Sequence, residues 1–296
     1  MMQRRTLASQ ISLRGIGLHS GKPAVMRLVP AEADTGIVFV RADAGGVEVP
    51  ATLEYAGPSY YATVLQKDGL KVCTIEHLMA ALYALQVDDL YVELQGPELP
   101  ILDGSSLPFV RAIQEVGFQE LEVERQYMTL IRPVVVSEKE KRIAAYPSSE
   151  YRVTYAIDFD HPLLGYQELS LGLWREGDFE EKLAPARTFT FEHEVENLRG
   201  KGLALGGSLD NALVLGEDRL LNPELRFPDE FVRHKMLDLT GDLSLLGRPL
   251  CAHVIAYRAG HDLHARLARR IWNSTDCWYL APWTGPASGA ISAAEG

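Results

Sequence analysis

The sequence predicts an α+β protein built from two domains of related topology packed face to face. Three observations lead there. The 296-residue chain is long enough for two ordinary hydrophobic cores. Short strand patterns, a helix and a further strand recur in a similar order in both halves, although no residue-level repeat is visible. Two helices with unusual polar faces, one in each half, stand apart from the other predicted elements.

Thr6 to Leu13 reads as a strand, and Arg14-Gly15-Ile16-Gly17-Leu18-His19-Ser20-Gly21 as a glycine-rich turn leading to a strand from Ala24 to Val29. The Gly-x-Gly is not a dinucleotide loop, because no helix follows and the third glycine is misplaced. Ile37 to Arg41 and Val47 to Leu53 are further strands. The first helix is expected over Thr74 to Gln86, with Ile75, Leu78, Met79, Leu82 and Leu85 on one face. Its other face carries Glu76, His77, Ala80, Ala81 and Ala84, too little charge for bulk water. That face is therefore covered or lines a cleft, and the Glu76–His77 pair is either functional or satisfied by buried hydrogen bonds. Asp89 to Leu94 is a strand, Pro97 to Ser106 a loop and Leu107 to Val116 a second helix. The first domain is expected to span residues 1–123.

The second, 124–281, restarts with strands over Tyr127 to Val136 and Tyr151 to Phe159, separated by the charged turn Glu138-Lys139-Glu140-Lys141-Arg142. A helix near Glu192 to Arg199, a glycine-broken stretch, a strand at Ala212 to Leu215, a long helix and a strand at Cys251 to Tyr257 follow. The long helix is announced by Pro228, Asp229 and Glu230, a helix-start signal. At about 100° per residue, His234, Asp238 and Asp242 share one side of it, with Lys235 on their border, while Val232, Met236, Leu239, Leu243 and Leu246 form a separate apolar stripe. A His and an Asp four residues apart can share a metal ion, but a solvated face or an ion-paired histidine has the same spacing. The tail from Pro282 to Gly296, rich in Gly, Ala and Ser, is expected to be disordered.

With 47% hydrophobic and 23% charged residues the chain has a globular composition. Its net charge of −11 excludes nonspecific nucleic-acid binding, since no basic surplus is available to neutralise phosphates. Cys73, Cys251 and Cys277 follow no metal or redox pattern and read as free thiols in a reducing compartment. No secretory signal is seen, and no run approaches the ~18 apolar residues of a membrane span. A cytoplasmic protein without a transmembrane segment is expected.

Several motifs together resemble a known family. Gly15-Ile16-Gly17-Leu18-His19-Ser20-Gly21, Thr74-Ile75-Glu76-His77-Leu78-Met79-Ala80-Ala81-Leu82, Ile101-Leu102-Asp103-Gly104-Ser105, Ala186-Arg187-Thr188-Phe189, Leu205-Gly206-Gly207-Ser208, Phe231-Val232-Arg233-His234-Lys235-Met236-Leu237-Asp238 and Gly260-His261 resemble, in this order, the motifs of the UDP-3-O-acyl-N-acetylglucosamine deacetylases, zinc enzymes of lipid A synthesis. The resemblance spans about Arg4 to Ala268. It implies a β-α-α-β sandwich in each half with the active site between them, and a monomer.

It also implies roles. His77, His234 and Asp238 would bind one zinc, leaving a fourth position for water, the arrangement of a hydrolytic rather than a structural site. Glu76 would be the general base and Thr188 an oxyanion donor. His261 would stabilise charge and deliver a proton, with Asp242 raising its pKa and holding its ring. Lys235 and Arg258 would meet sugar hydroxyls or diphosphate. Arg258 stands where many relatives carry lysine. Phe159 and Phe189 would pack on uracil or sugar, Gly207 and Ser208 would contact substrate, and residues 198–215 would form a passage for the fatty acyl chain. Tyr60 and Tyr61 depart from the family pattern at the expected site mouth, which bears on acyl preference. His264 reads as a surface histidine.

The implied reaction is removal of acetate from a UDP-sugar carrying a fatty acyl chain. Another acylated amino sugar as substrate, or a nonenzymatic protein clamped by zinc, are the alternatives. Glu76 and His261 beside the ligands speak against the last, since a structural site needs neither base nor acid. A serine hydrolase lacks its Gly-x-Ser-x-Gly elbow.

Overall fold

The computed structural model describes residues 2–173, 175, 177–283 and 285. In the first half, five strands pair in the spatial order Ile11–Ile16, Pro23–Pro30, Leu90–Gln95, Ile37–Arg41 and Val47–Pro50. All neighbours are antiparallel except Ile37–Arg41 and Leu90–Gln95, which run parallel with Phe39 opposite Val92. Alternation sends Met26, Leu28 and Phe39 inward, so one face of the sheet is core. A small hairpin, Val64–Lys67 with Leu70–Cys73, carries the chain into the first helix. Gln3–Leu7 pairs with Phe118–Glu124, bringing both ends of this half together.

The second half contains a seven-stranded sheet whose hub is Leu250–Tyr257. That strand pairs antiparallel with Lys141–Pro147 and parallel with both Gln126–Leu130 and Arg152–Asp158. Six α-helices are described: α1 (Glu76–Ala84), α2 (Leu107–Val116), α3 (Asp178–Lys182), α4 (Glu192–Gly200), α5 (Glu230–Leu243) and α6 (His261–Asn273). Helices α1 and α5 pack on each other and join the halves, and α5 also packs on α6 and on Arg152–Asp158. One continuous apolar cluster runs from Met26 and Phe39 through Leu78 and Leu82 of α1 and Met236 and Leu239 of α5 to Val153 and Val254.

The close approach of α1 and α5 depends on Gly241. A Cβ there would lie 2.1 Å from the Glu76 carbonyl oxygen and 2.8 Å from its carbon. The alanine-rich face of α1 is the matching surface, with Ala80 and Ala81 fully buried, as their lack of charged neighbours predicts.

Several elements differ from the sequence expectation. Thr6 to Leu13 is two strands rather than one, because the chain bends between Leu7 and Ile11 to enter two different sheets. The region Tyr127 to Val136 likewise breaks at Pro133, which has no N–H for a ladder. Strands Tyr166–Gly172, Phe189–Phe191 and Trp278–Pro282, and the thirteen-residue helix α6, extend the predicted inventory. The expected disordered tail starts too early. Pro282 ends a strand paired with Gln126, and the Trp283 indole donates to the Ser149 carbonyl at 2.8 Å. Most of the rest of that tail, residues 284 and 286–296, lies outside the described residues.

Candidate metal centre

Helix α1 delivers Glu76 and His77, and α5 delivers His234, Lys235, Asp238 and Asp242. The two helices come from opposite halves, so the site exists only when the halves are joined. His77 and His234 meet at right angles, ring centroids 5.0 Å apart. Their Nε2 atoms lie 3.7 Å and 3.2 Å from Asp238 Oδ1. Ligand atoms about 2.0–2.2 Å from a tetrahedral ion are spaced by ~3.3 Å, and these separations bracket that value.

The arrangement passes a second test. Asp238 Oδ1 is buried without a hydrogen-bond partner, although such an oxygen ordinarily finds one. Its other oxygen accepts from Lys235 Nζ at 2.6 Å. On His234, Nδ1 faces the Ala186 carbonyl at 3.0 Å and donates to it, which leaves the Nε2 lone pair aimed at the cluster. Ser106 donates its hydroxyl to the His77 carbonyl and fixes that turn of α1.

Protonation agrees as well. Burial, reinforced by the neighbouring His234, holds the His77 imidazole down at about 3. Burial lowers His234 too. Burial alone would raise Asp238, but His234 and Lys235 outweigh it and keep the carboxylate ionised. Two neutral imidazoles and one carboxylate are the form that binds a divalent cation.

Glu76 Oε2 accepts from the Thr63 amide at 3.0 Å. Its burial, aided by Asp238 and Asp242 against His261, pushes its pKa up to about 8. His261 opens α6, with Nδ1 2.7 Å from Asp242 Oδ2. Burial would lower this histidine, yet the charge and hydrogen bond of Asp242 lift it to about 9.

Glu76, His77, His234, Asp238 and His261 line a cavity of about 300 Å³ with Thr188, Lys235, Phe159 and Phe189. Thr188 is set by its neighbours. Its amide donates to the Gly104 carbonyl at 2.8 Å, and Arg187 is clamped to buried Glu230 in the first turn of α5. Gly104 sits at φ +83°, and a Cβ there would lie 2.0 Å from the Asn211 carbonyl oxygen, so this crossing requires glycine. Phe189 meets Phe159 edge-on at 6.0 Å, forming an apolar wall. Tyr60 and Tyr61, 80% and 52% exposed, also line the cavity, at the position expected for its mouth.

Three expected substrate contacts stand outside this cavity lining. Arg258 pairs with Glu140 at 3.2 Å and with Asp158 at 3.9 Å. The Gly207 amide bonds the Ala204 carbonyl, and the Ser208 amide bonds Asn211. Residues 198–215 are mixed, with Leu213 in the core and Leu205 and Leu209 exposed.

Two residues escaped the sequence reading. Thr63 joins the two halves of the site, its amide on Glu76 and its hydroxyl on Asp242, 179 positions away. His264 is not a surface histidine. It is fully buried, because Tyr155 and Asp242 close over a helix turn whose sequence neighbours are polar. Helical spacing from His261 was the available signal for His264, whereas Thr63 had none.

Two sheets joined by a helix pair that presents two imidazoles and a carboxylate define an α+β protein with a candidate mononuclear metal site. The family model for UDP-3-O-acyl N-acetylglycosamine deacetylase matches residues 4–273, and the chain belongs to that family. A relative from Syntrophotalea carbinolica named UDP-3-O-acyl-N-acetylglucosamine deacetylase is 47% identical over 95% of this chain and 91% of its own. Relatives of the same name from Myxococcus xanthus and Hahella chejuensis are 45% and 40% identical, over 94% and 99% of this chain and 89% and 98% of theirs. Among the described residues no helix is long and apolar enough to cross a membrane.

Proposed function

We propose that this chain hydrolyses the N-acetyl group of UDP-3-O-acyl-N-acetylglucosamine, using one zinc ion held by His77, His234 and Asp238, in the step of lipid A synthesis that the family resemblance indicates. The observation that carries the zinc assignment is the partnerless Asp238 Oδ1 facing two imidazole nitrogens in a buried pocket, with an acid and a base beside it. Three protein ligands leave one position open, and the ion would supply Lewis acidity there.

The protein's own groups perform the proton movements. Amide hydrolysis adds water to the acetyl carbon, breaks the C–N bond, and leaves acetate and a protonated amine. Glu76, beside the ligand set and made more basic by its burial, takes the proton from water in its carboxylate form, which a bound cation would favour. His261, carrying a proton at neutral pH because Asp242 supports it, gives that proton to the departing amine. Thr188 and Lys235 line the same cavity, where the threonine hydroxyl and the ammonium would stabilise the oxyanion and neighbouring negative charge.

The same reading lets Phe159 and Phe189 pack on the nucleotide or sugar. Arg258, Gly207 and Ser208 would meet the substrate beyond the cavity, Arg258 exchanging Glu140 and Asp158 for diphosphate. Residues 198–215 would border the acyl chain and Tyr60 and Tyr61 would narrow its mouth. The chain would divide into domains 1–123 and 124–281 and act as a cytoplasmic monomer.

The test is acetate release from the purified UDP-sugar, before and after chelation and after zinc readdition. Turnover should vanish on chelation and return with zinc. Full turnover in the chelated protein would overturn the assignment.

A further inference from the structure

Asp242 is shared between two imidazoles. Its Oδ2 lies 2.7 Å from His261 Nδ1 and 2.7 Å from His264 Nδ1, while its Oδ1 accepts from the Thr63 hydroxyl. All four residues are buried. The spacing decides what this cluster is. Two atoms 2.7 Å apart are too close to be neighbouring ligands about 2.0–2.2 Å from one tetrahedral ion, but they match hydrogen bonds to a carboxylate. The cluster is therefore a hydrogen-bonded unit rather than a second metal site.

His261 and His264 are the first and fourth residues of α6, so both rings project from one face toward α5. Tyr155, on the strand Arg152–Asp158, closes the far side. Its hydroxyl is 3.0 Å from His264 Nε2 and 2.9 Å from the carbonyl of Ala259, two residues before His261, so its one proton is shared between these two acceptors. His264 is thus braced at both ring nitrogens. A carboxylate bonded to His261 and Thr63 alone could rotate about its χ2 and carry the His261 ring with it. The second imidazole removes that freedom.

We propose that His264 is a positioning residue for the deacetylation: its Nδ1–H fixes the Asp242 carboxylate and, through it, the ring of His261 toward the substrate. This rests on the proposed role of His261, and the experiment separates the two.

Zinc-loaded full-length His264→Asn, His264→Gln and His264→Leu are assayed for acetate release, with His261→Ala in parallel. The asparagine amide nitrogen falls where Nδ1 was and can donate to Asp242. The glutamine amide nitrogen falls where Nε2 was and reaches Tyr155 instead. Leucine does neither. Outer-shell partners that orient metal-ligating histidines are worth about 10–100-fold, and an orienting partner behind His261 is assigned the same order. The expected result is that kcat falls by that factor in the leucine and glutamine variants with little change in KM or zinc content, and that asparagine recovers most of it. A merely structural histidine would not separate asparagine from glutamine at equal melting temperature. If the leucine variant fails to fold, the asparagine to glutamine ratio decides alone. Equal kcat in those two variants, or full kcat in the leucine variant, would overturn the proposal. Undiminished turnover in His261→Ala would instead refute the role of His261 itself.

Discussion

Gly241→Ala is the substitution for which the structure gives the sharpest consequence. In an exposed helix interior this change stabilises by about 1 kcal/mol, because alanine loses less backbone entropy. Here the new methyl carbon would sit 2.1 Å from the backbone oxygen of Glu76, whereas real Cβ atoms essentially never approach another heavy atom within 3.0 Å. The obstacle is backbone, so no side chain can swing aside. Helix α1 must move by about 1 Å, and overpacking of this kind costs about 1–3 kcal/mol, sometimes more. The net change is a loss of up to ~2 kcal/mol, a fall in melting temperature of several degrees at about 2–4 °C per kcal/mol. Function should suffer more than stability. The displaced carbonyl belongs to the residue proposed as base, next to a proposed ligand, and a ~1 Å misplacement costs on the order of 100-fold in rate. Differential scanning calorimetry and acetate release on the same sample, with zinc content as the control, measure both effects. A Gly241→Ala protein that melts higher and turns over normally would refute the claim that α1–α5 contact sets the site.

Other changes separate the roles of individual groups. Glu76→Gln should retain zinc by elemental analysis while losing turnover by more than ~100-fold. His77→Ala or His234→Ala should instead lower zinc content, and turnover with it. In the metal-free protein the Glu76 carboxyl is raised from its ordinary 4.5 to about 8. The folded state therefore binds more protons across that window, and this residue's contribution declines as pH rises from 4.5 to 8. Glu76→Gln should accordingly gain in urea midpoint over the parent as pH rises through that range, and a constant difference would contradict the shift. Cys73, pushed up to about 11 by burial and by Glu98, should alkylate about 100-fold more slowly at pH 8 than in urea, as read by peptide mass mapping.

The parts of the fold visible in sequence are those with a strong local period. Helices α1 and α5 announce themselves through apolar stripes, and the polar side of α1 marks a covered face because Glu76 and His77 stand there among alanines, whereas His234, Asp238 and Asp242 on α5, bordered by Lys235, read equally as a solvated face. Helix α6 carries a comparable signal, Leu263, Leu267 and Ile271 at every fourth position, diluted by Arg266, Arg269 and Arg270 between them. The split of the first strand could not be foreseen, since both pieces alternate alike and only pairing with Phe118–Glu124 separates them. Thr63 and His264 belong to a different class. Their roles come from contacts across the helix junction, and a threonine in a loop or a histidine among charged neighbours looks the same whether buried or exposed. The proposed ligand set rests on matching several ordered motifs, because a His and an Asp one turn apart also describe an ordinary ion-paired helix face.

The central claim is that one cation joins the two halves at His77, His234 and Asp238. The most direct measurement is the anomalous difference density of crystals grown from protein loaded with one equivalent of zinc. One strong peak is expected about 2.0–2.2 Å from Nε2 of His77, Nε2 of His234 and Oδ1 of Asp238. A peak at Asp242, His261 and His264 instead, or density touching only one half of the chain, would contradict it.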